Sequence, residues 1–152
     1  MPVENALDTE KADGKMIRAD NKLLHAEITD KIIACAYDVY NQLGFGFSEK
    51  VYENARMIII AKKNLKAIQQ APINVYFEST LVGEYFADMF IEDKVLVELK
   101  AASALSKAHE AQLVNYLKAT GVKVGLLINF GDKLKSFVVF FKDVFYPSLS
   151  GF

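Results

Sequence analysis

The stretch of this sequence best placed to do chemistry is Val95-Leu96-Val97-Glu98-Leu99-Lys100. It reads as a strand, and strand residues alternate faces, so Glu98 and Lys100 share one side while Val95, Val97 and Leu99 fill the other. A carboxylate and an ammonium two apart on an interior strand need each other, or a ligand, to be tolerated. Taken alone, Glu-x-Lys is equally a solvated strand face at a sheet edge. The preceding strand sharpens the reading, because Asp88 stands among apolar neighbours in Ala87-Asp88-Met89-Phe90, a poor place for an unpaired charge. A three-residue loop of Glu92, Asp93 and Lys94 would set Asp88 opposite Glu98 and Phe86 opposite Lys100, each pair on a shared face. A two-residue loop would throw the carboxylates onto opposite faces. Two carboxylates that close share either a proton, as a structural pair, or a cation. For a cation, all-oxygen ligands suit Mg²⁺ or Mn²⁺.

Other polar groups have helical spacing. Gln112 and Tyr116 are four apart and His109 lies three before Gln112, a stripe flanked by Ala108, Leu113, Val114 and Leu117. Amide, phenol and imidazole in a row suit phosphate oxygens or a stacked base; they equally make a wet helix face. Glu49 and Tyr52 share a face near a helix start, where a glutamate is ordinarily a dipole partner.

These side chains need elements to hold them. Residues 1–24 are polar and charge-mixed, which predicts a mobile arm or a short frayed helix, dispensable to a single domain over 25–152. From Thr29 a helix is predicted, capped by Thr29 or Asp30, with Ile32, Ile33, Ala36, Tyr37, Tyr40 and Leu43 recurring at its period and Gly44 ending it. Ser48 opens a second helix with Val51, Tyr52, Ala55, Ile58 and Ile59 inward. Past Asn64 the period falls to two, giving strands over Val75–Glu78, Gly83–Ile91 and Lys94–Ala101. A helix from Ser106 to about Thr120 follows, then strands Val122–Phe130 and Leu134–Phe141. The order ααβββαββ is a mixed α/β domain whose sheet is covered on both faces.

Composition narrows the function. The 152 residues carry 18 Lys plus Arg against 19 Asp plus Glu, so binding nucleic acid by mass positive charge is excluded. The longest apolar runs, Met57–Ala61 and Phe137–Phe141, are too short to span a bilayer, which argues against a membrane partner. The N-terminus lacks a secretory pattern, so the expected location is cytoplasmic. One cysteine, Cys35, with only His25 and His109 beside it, leaves no internal disulfide and no structural zinc. The Phe137–Phe141 strand, if exposed, invites edge pairing and a homodimer.

Taken together, Gly46-Phe47-Ser48-Glu49-Lys50-Val51-Tyr52, Ala87-Asp88, Glu98-Leu99-Lys100, the His109–Tyr116 segment and Gly121–Gly131 resemble the GxxExxY proteins. These are small bacterial and archaeal members of the PD-(D/E)xK nuclease superfamily. The resemblance runs from about His25 to Lys142. It implies a restriction-endonuclease-like α/β core, a mixed central sheet with helices on both faces. It also implies metal-dependent hydrolysis of phosphodiesters, with DNA as the expected partner. Asp88 and Glu98 match the metal-binding carboxylates, with the Leu99 carbonyl as a third ligand. Glu49 matches the helix glutamate completing many such sites, and Lys100 the lysine that orients the attacking water. Gln112 and Tyr116 match a Q-x-x-x-Y element that, with Tyr52 and His109, would contact substrate. Ala87 stands where the superfamily name has proline, and Asn64 where the pattern has glycine. No helix-turn-helix, zinc module or basic arm reads sequence here, so specificity would come from a protein partner or from DNA structure. A catalytically silent binding or assembly module on the same fold is the alternative.

Overall fold

A computed structural model of the chain describes residues 7–10, 16–18 and 22–141. In order they form β1 (Leu7–Glu10), β2 (Met16–Arg18), α1 (Ala26–Leu43), α2 (Glu49–Lys62), β3 (Ala67–Phe77), β4 (Thr80–Ile91), β5 (Val95–Lys100), α3 (Lys107–Thr120), β6 (Val124–Phe130) and β7 (Leu134–Phe140). From α1 onward this is the predicted ααβββαββ. The main sheet runs β3-β4-β5-β6-β7. Only β5 and β6 pair in parallel, and α3 is the crossover that a parallel pair requires.

Alternation along the strands divides the core in two. Val95, Val97 and Leu99 of β5 join Val124, Leu126 and Ile128 of β6 beneath α1 and α2. Leu96 and Leu127 face the other way, against Leu113, Tyr116 and Leu117 of α3. The sheet is therefore mixed and flanked by helices on both faces, as expected. Gly125 permits the second contact, since a Cβ there would fall 2.9 Å from the Leu113 side chain; α3 rests directly on bare backbone.

Several boundaries differ from the sequence pattern. Helix α1 begins at Ala26, after a left-handed His25 at φ 58°. Thr29 is no cap but sits inside the first turn, its hydroxyl donating back to the Ala26 carbonyl at 3.2 Å. Strand β3 starts eight residues before Val75; Pro72 masks it in the sequence, yet β3 is an edge strand, where proline is tolerated. Asn64 takes φ 57°, a left-handed conformation that glycine adopts freely and that suits asparagine best among other residues. Where a free arm or frayed helix was the expectation, β1 and β2 pair antiparallel, and Met16 and Leu24 are buried in the core beneath α1. The rest of that arm, and residues 142–152 with Lys142, lie outside the described residues. Strand β7 pairs with β6 along its whole length, and of its apolar side chains Phe137 is the most exposed. No helix among the described residues is long and apolar enough to cross a membrane.

Candidate active site

The register of β4 on β5 decides whether Asp88 and Glu98 can meet. The loop has the three predicted residues, and Met89, Phe90 and Ile91 pair with Val97, Leu96 and Val95. Glu92 and Asp93 take positive φ, a conformation that needs support in residues other than glycine. Lys66 supplies it: its amide donates to Glu92 Oε2 at 2.6 Å and its ammonium pairs with Asp93 Oδ2 at 2.8 Å.

The ladder then stops, and side chains replace the next rung. The Asp88 amide donates to Glu98 Oε1 at 3.0 Å, and the Leu99 amide to Asp88 Oδ2 at 2.6 Å. Neither the predicted Asp88–Glu98 pairing nor the Phe86–Lys100 one forms in the ladder, because β4 and β5 part at the carboxylates and side chains reach across instead. On its other side β4 also skips a rung: pairing passes from Gln69–Met89 to Ala71–Ala87, with Gln70 at φ 54°. Asp88 and Glu98 thus occupy a wedge between two strands. In an extended strand the N–H and C=O of one residue face the same neighbour, so the Leu99 carbonyl faces that wedge too.

Charge makes the wedge costly without a cation. Glu98 is 4% exposed; burial, then the Asp88 charge, push its pKa to about 8. Asp88 is raised as well, chiefly by burial and then by Glu53 and Glu49, against the opposing Leu99 hydrogen bond. A buried carboxylate and a half-buried one, both of raised proton affinity and beside a backbone carbonyl, form a hard oxygen donor set that fits a divalent cation. Among the described residues no three His, Cys, Asp or Glu side chains group as a metal cage. Glu49, exposed at the start of α2, acts on both carboxylates through charge alone.

Helix α3 joins the site through Lys100. The Lys100 ammonium lies 3.4 Å from Gln112 Oε1, and Gln112 Nε2 donates to the Tyr116 hydroxyl at 3.2 Å. Tyr116 in turn packs on Tyr85, and burial followed by the Glu98 charge raises its pKa. His109 does not join this row. Its Nδ1 accepts from the Ser106 amide at 3.1 Å while Ser106 Oγ accepts from the His109 amide, a capping box that starts the helix. The chain leaving Lys100 is pinned by Asn129, whose amide makes two 2.9 Å hydrogen bonds with the backbone of Ala102. Nothing in the sequence pattern marks Asn129, since its partner is backbone.

Helix α2 departs furthest from expectation. Val51 and Ile58 point outward, and the buried residues are Tyr52, Glu53, Arg56 and Ile60. Tyr52 is fully buried, so as it stands it cannot touch substrate. Its hydroxyl donates to the Gly44 carbonyl at 2.7 Å and accepts from the Phe47 amide, while its ring stacks on Phe130 at 4.3 Å. It braces the α1–α2 connection against the sheet. Glu53 accepts from Lys50, Gln69 and Gln70. Arg56 is wholly buried, and none of its guanidinium nitrogens has a hydrogen-bond partner among the described residues; desolvation lowers its pKa to about 10, against the charges of Cys35, Asp88 and Glu53. The spacing of Glu49, Tyr52, Glu53, Arg56 and Ile60 follows one helical stripe, the one signal that could have revealed this face.

The family model of the PD-(D/E)XK nuclease superfamily matches residues 26–139, and the chain belongs to that superfamily. Its members generally use divalent metal ions. Among solved structures, SSO0001 is similar at 15% identity and TM-score 0.49, over 76% of this chain and 59% of that one. An alkaline exonuclease (LHK-Exo) from Laribacter hongkongensis is similar at 11% identity and TM-score 0.43, over 82% of this chain and 74% of its own. Among curated proteins no match was found.

Proposed function

We propose that this chain is a GxxExxY-type nuclease that hydrolyses phosphodiester bonds in DNA with Mg²⁺ or Mn²⁺. The observation that carries the reading is the wedge at Asp88 and Glu98, where carboxylates stand in for a ladder rung beside Lys100. A divalent cation bound there supplies Lewis-acid polarisation of the scissile phosphate and a bound water of lowered pKa. Asp88, Glu98 and the Leu99 carbonyl hold it, and Glu49 adds negative charge from the start of α2. Lys100, tethered by Gln112, places the attacking water in line with the phosphate. Gln112 and Tyr116 offer an amide and a phenol to phosphate oxygens or to a base. Specificity comes from a protein partner or from DNA structure, since 18 basic against 19 acidic residues make no general phosphate-binding surface.

The test is a cleavage assay on single- and double-stranded DNA and RNA with Mg²⁺ and with Mn²⁺, run beside Glu98→Gln. The reading requires cleavage by the wild type that the variant lacks. Equal cleavage by both, or none by either on any substrate, would overturn it.

A further inference from the structure

Two cavities open side by side beyond the C-terminal ends of the parallel strands β5 and β6. The first, of 460 Å³, is lined by Phe45, Phe47 and Phe130 together with Ala101, Ala102 and Asp132. The second, of 220 Å³, is lined by Lys133 and Lys135 among others, and Ser103 and Asp132 belong to both walls. Open α/β sheets take ligands in the crevice outside the carboxyl ends of their strands. Ala101 follows Lys100 directly in the chain, so the first cavity begins one residue from the wedge. Its floor is braced from several sides. Gly131 lets the β6–β7 turn close on the chain leaving β5, since a Cβ there would stand 2.9 Å from the Ala102 carbonyl. The Tyr40 hydroxyl holds that turn through the Gly131 and Asp132 carbonyls at 2.8 and 2.6 Å. Phe130 is fixed by the Tyr52 ring stacked on it. Beside this floor Phe45 and Phe47 are left 63% and 48% exposed.

The two linings together select an occupant. An aromatic wall offers a stacking surface to a flat π system. The neighbouring Lys133 and Lys135, both exposed and in no ion pair among the described residues, offer charge to an anion. A planar ring joined to an anion is what a nucleotide unit presents. In a duplex the π faces are covered by neighbouring base pairs, so only an unpaired base can enter such a cavity. Asp132 repels phosphate but can accept a hydrogen bond from the amino or imino edge of a base. It therefore suits the aromatic cavity and divides it from the lysines.

We infer that the Phe45–Phe47 cavity seats an unpaired base of the substrate strand, with Lys133 and Lys135 on an adjacent phosphate, so that the substrate is single-stranded or locally unpaired. This rests on the nuclease reading above and adds the form of its substrate. The chain has no tryptophan, so Phe45→Trp puts a single reporter at the cavity and Ile58→Trp puts one on the exposed surface of α2. With EDTA present to prevent hydrolysis, a twelve-residue thymidine oligonucleotide should quench Phe45→Trp fluorescence. An abasic strand of the same length should not, and neither strand should quench Ile58→Trp. In anisotropy titrations the wild type should bind the thymidine strand at least about tenfold tighter than a duplex of equal length. Phe45→Ala should lose about tenfold on the thymidine strand and nothing on the abasic one. Lys133→Gln/Lys135→Gln should weaken both strands alike and reduce the logarithmic salt slope by about 1.4. Unquenched Phe45→Trp, equal affinity of wild type and Phe45→Ala for the thymidine strand, or equal affinity for strand and duplex overturns the proposal. None of these readouts requires cleavage. A wild type that cuts nothing while they hold would count against the nuclease reading and leave the base-binding cavity standing.

Discussion

Helices α2 and α3 approach the same carboxylates with opposite chemistry. Helix α3 brings neutral groups, Gln112 and Tyr116, and buries ordinary leucines beneath them. Helix α2 turns Ile58 outward at 61% exposure and buries Glu53 at 3% and Arg56 at 0%. Hydropathy therefore does not decide which side of α2 is buried: Glu53 goes inside where Lys50, Gln69 and Gln70 meet it, and Arg56 goes inside with no hydrogen-bond partner among the described residues. Gln112 can be altered without unsettling the core, whereas Tyr116 on α3 and both Glu53 and Arg56 on α2 are buried within it.

The largest expected effect lies where the helices converge. Lys100→Ala should lower cleavage by roughly 10³-fold or more while leaving cation binding intact, because in the proposed mechanism the lysine orients the water and does not hold the ion. Single-turnover rates beside a cation-dependent melting shift would show this, and a variant that loses both together would break the division of labour.

Next comes the α2 pair. Glu53→Leu removes one of the charges acting on the buried Arg56 and costs Gln69 and Gln70 a shared acceptor, so denaturant melts should show a loss of about 1–3 kcal/mol. A loss below about 1 kcal/mol would erase the contrast between the helices.

The acidity of the wedge predicts a pH dependence of stability. Burial pushes the Glu98 pKa in the fold to about 8, against the ordinary glutamate value of 4.5. The native state therefore holds a proton that the unfolded state has released, and stability falls as pH rises between those values. The expected decline in the cation-free protein is on the order of a few kcal/mol, and Glu98→Gln should flatten it. Equal slopes for wild type and variant would remove Glu98 as the source.

The smallest effect is on α3. Gln112→Leu should change stability by less than about 1 kcal/mol, since its bonds to Lys100 and Tyr116 are long and only part-buried. Cleavage should drop by about tenfold as Lys100 loses its tether. Unaltered cleavage would mean that the Lys100–Gln112 contact positions nothing.

The same contrast explains what could be read in the sequence. The β4–β5 register was legible because alternation has a period of two and the loop length fixes its parity, so Asp88 and Glu98 came together before any coordinates. The Gln112–Tyr116 row was legible because Leu113 and Leu117 mark the inner side of α3 without conflict. On α2 the hydropathic residues Val51 and Ile58 point the wrong way, and the polar stripe through Glu53 and Arg56 makes sense only once Gln69 and Gln70 of β3 are in place. Tyr52 and His109 looked like ligand groups because their types suit ligands. The backbone atoms that occupy them, the Gly44 carbonyl and the Ser106 amide, leave no trace in residue identity. The hidden start of β3 has a similar cause, since Pro72 signals a break and only its edge position makes it harmless.

The central claim is that Asp88 and Glu98 form a cation site served, but not completed, by Lys100. Calorimetric titration of Mn²⁺ into wild type, Glu98→Gln and Lys100→Ala tests it most directly. At pH 7 the wild type and Lys100→Ala should bind with similar affinity and release protons, giving heats that depend on the buffer, because the cation displaces the proton held on the carboxylate pair. Glu98→Gln should show binding weakened by at least tenfold. Absence of Mn²⁺ binding by the wild type, or equal binding by Glu98→Gln, would contradict the account.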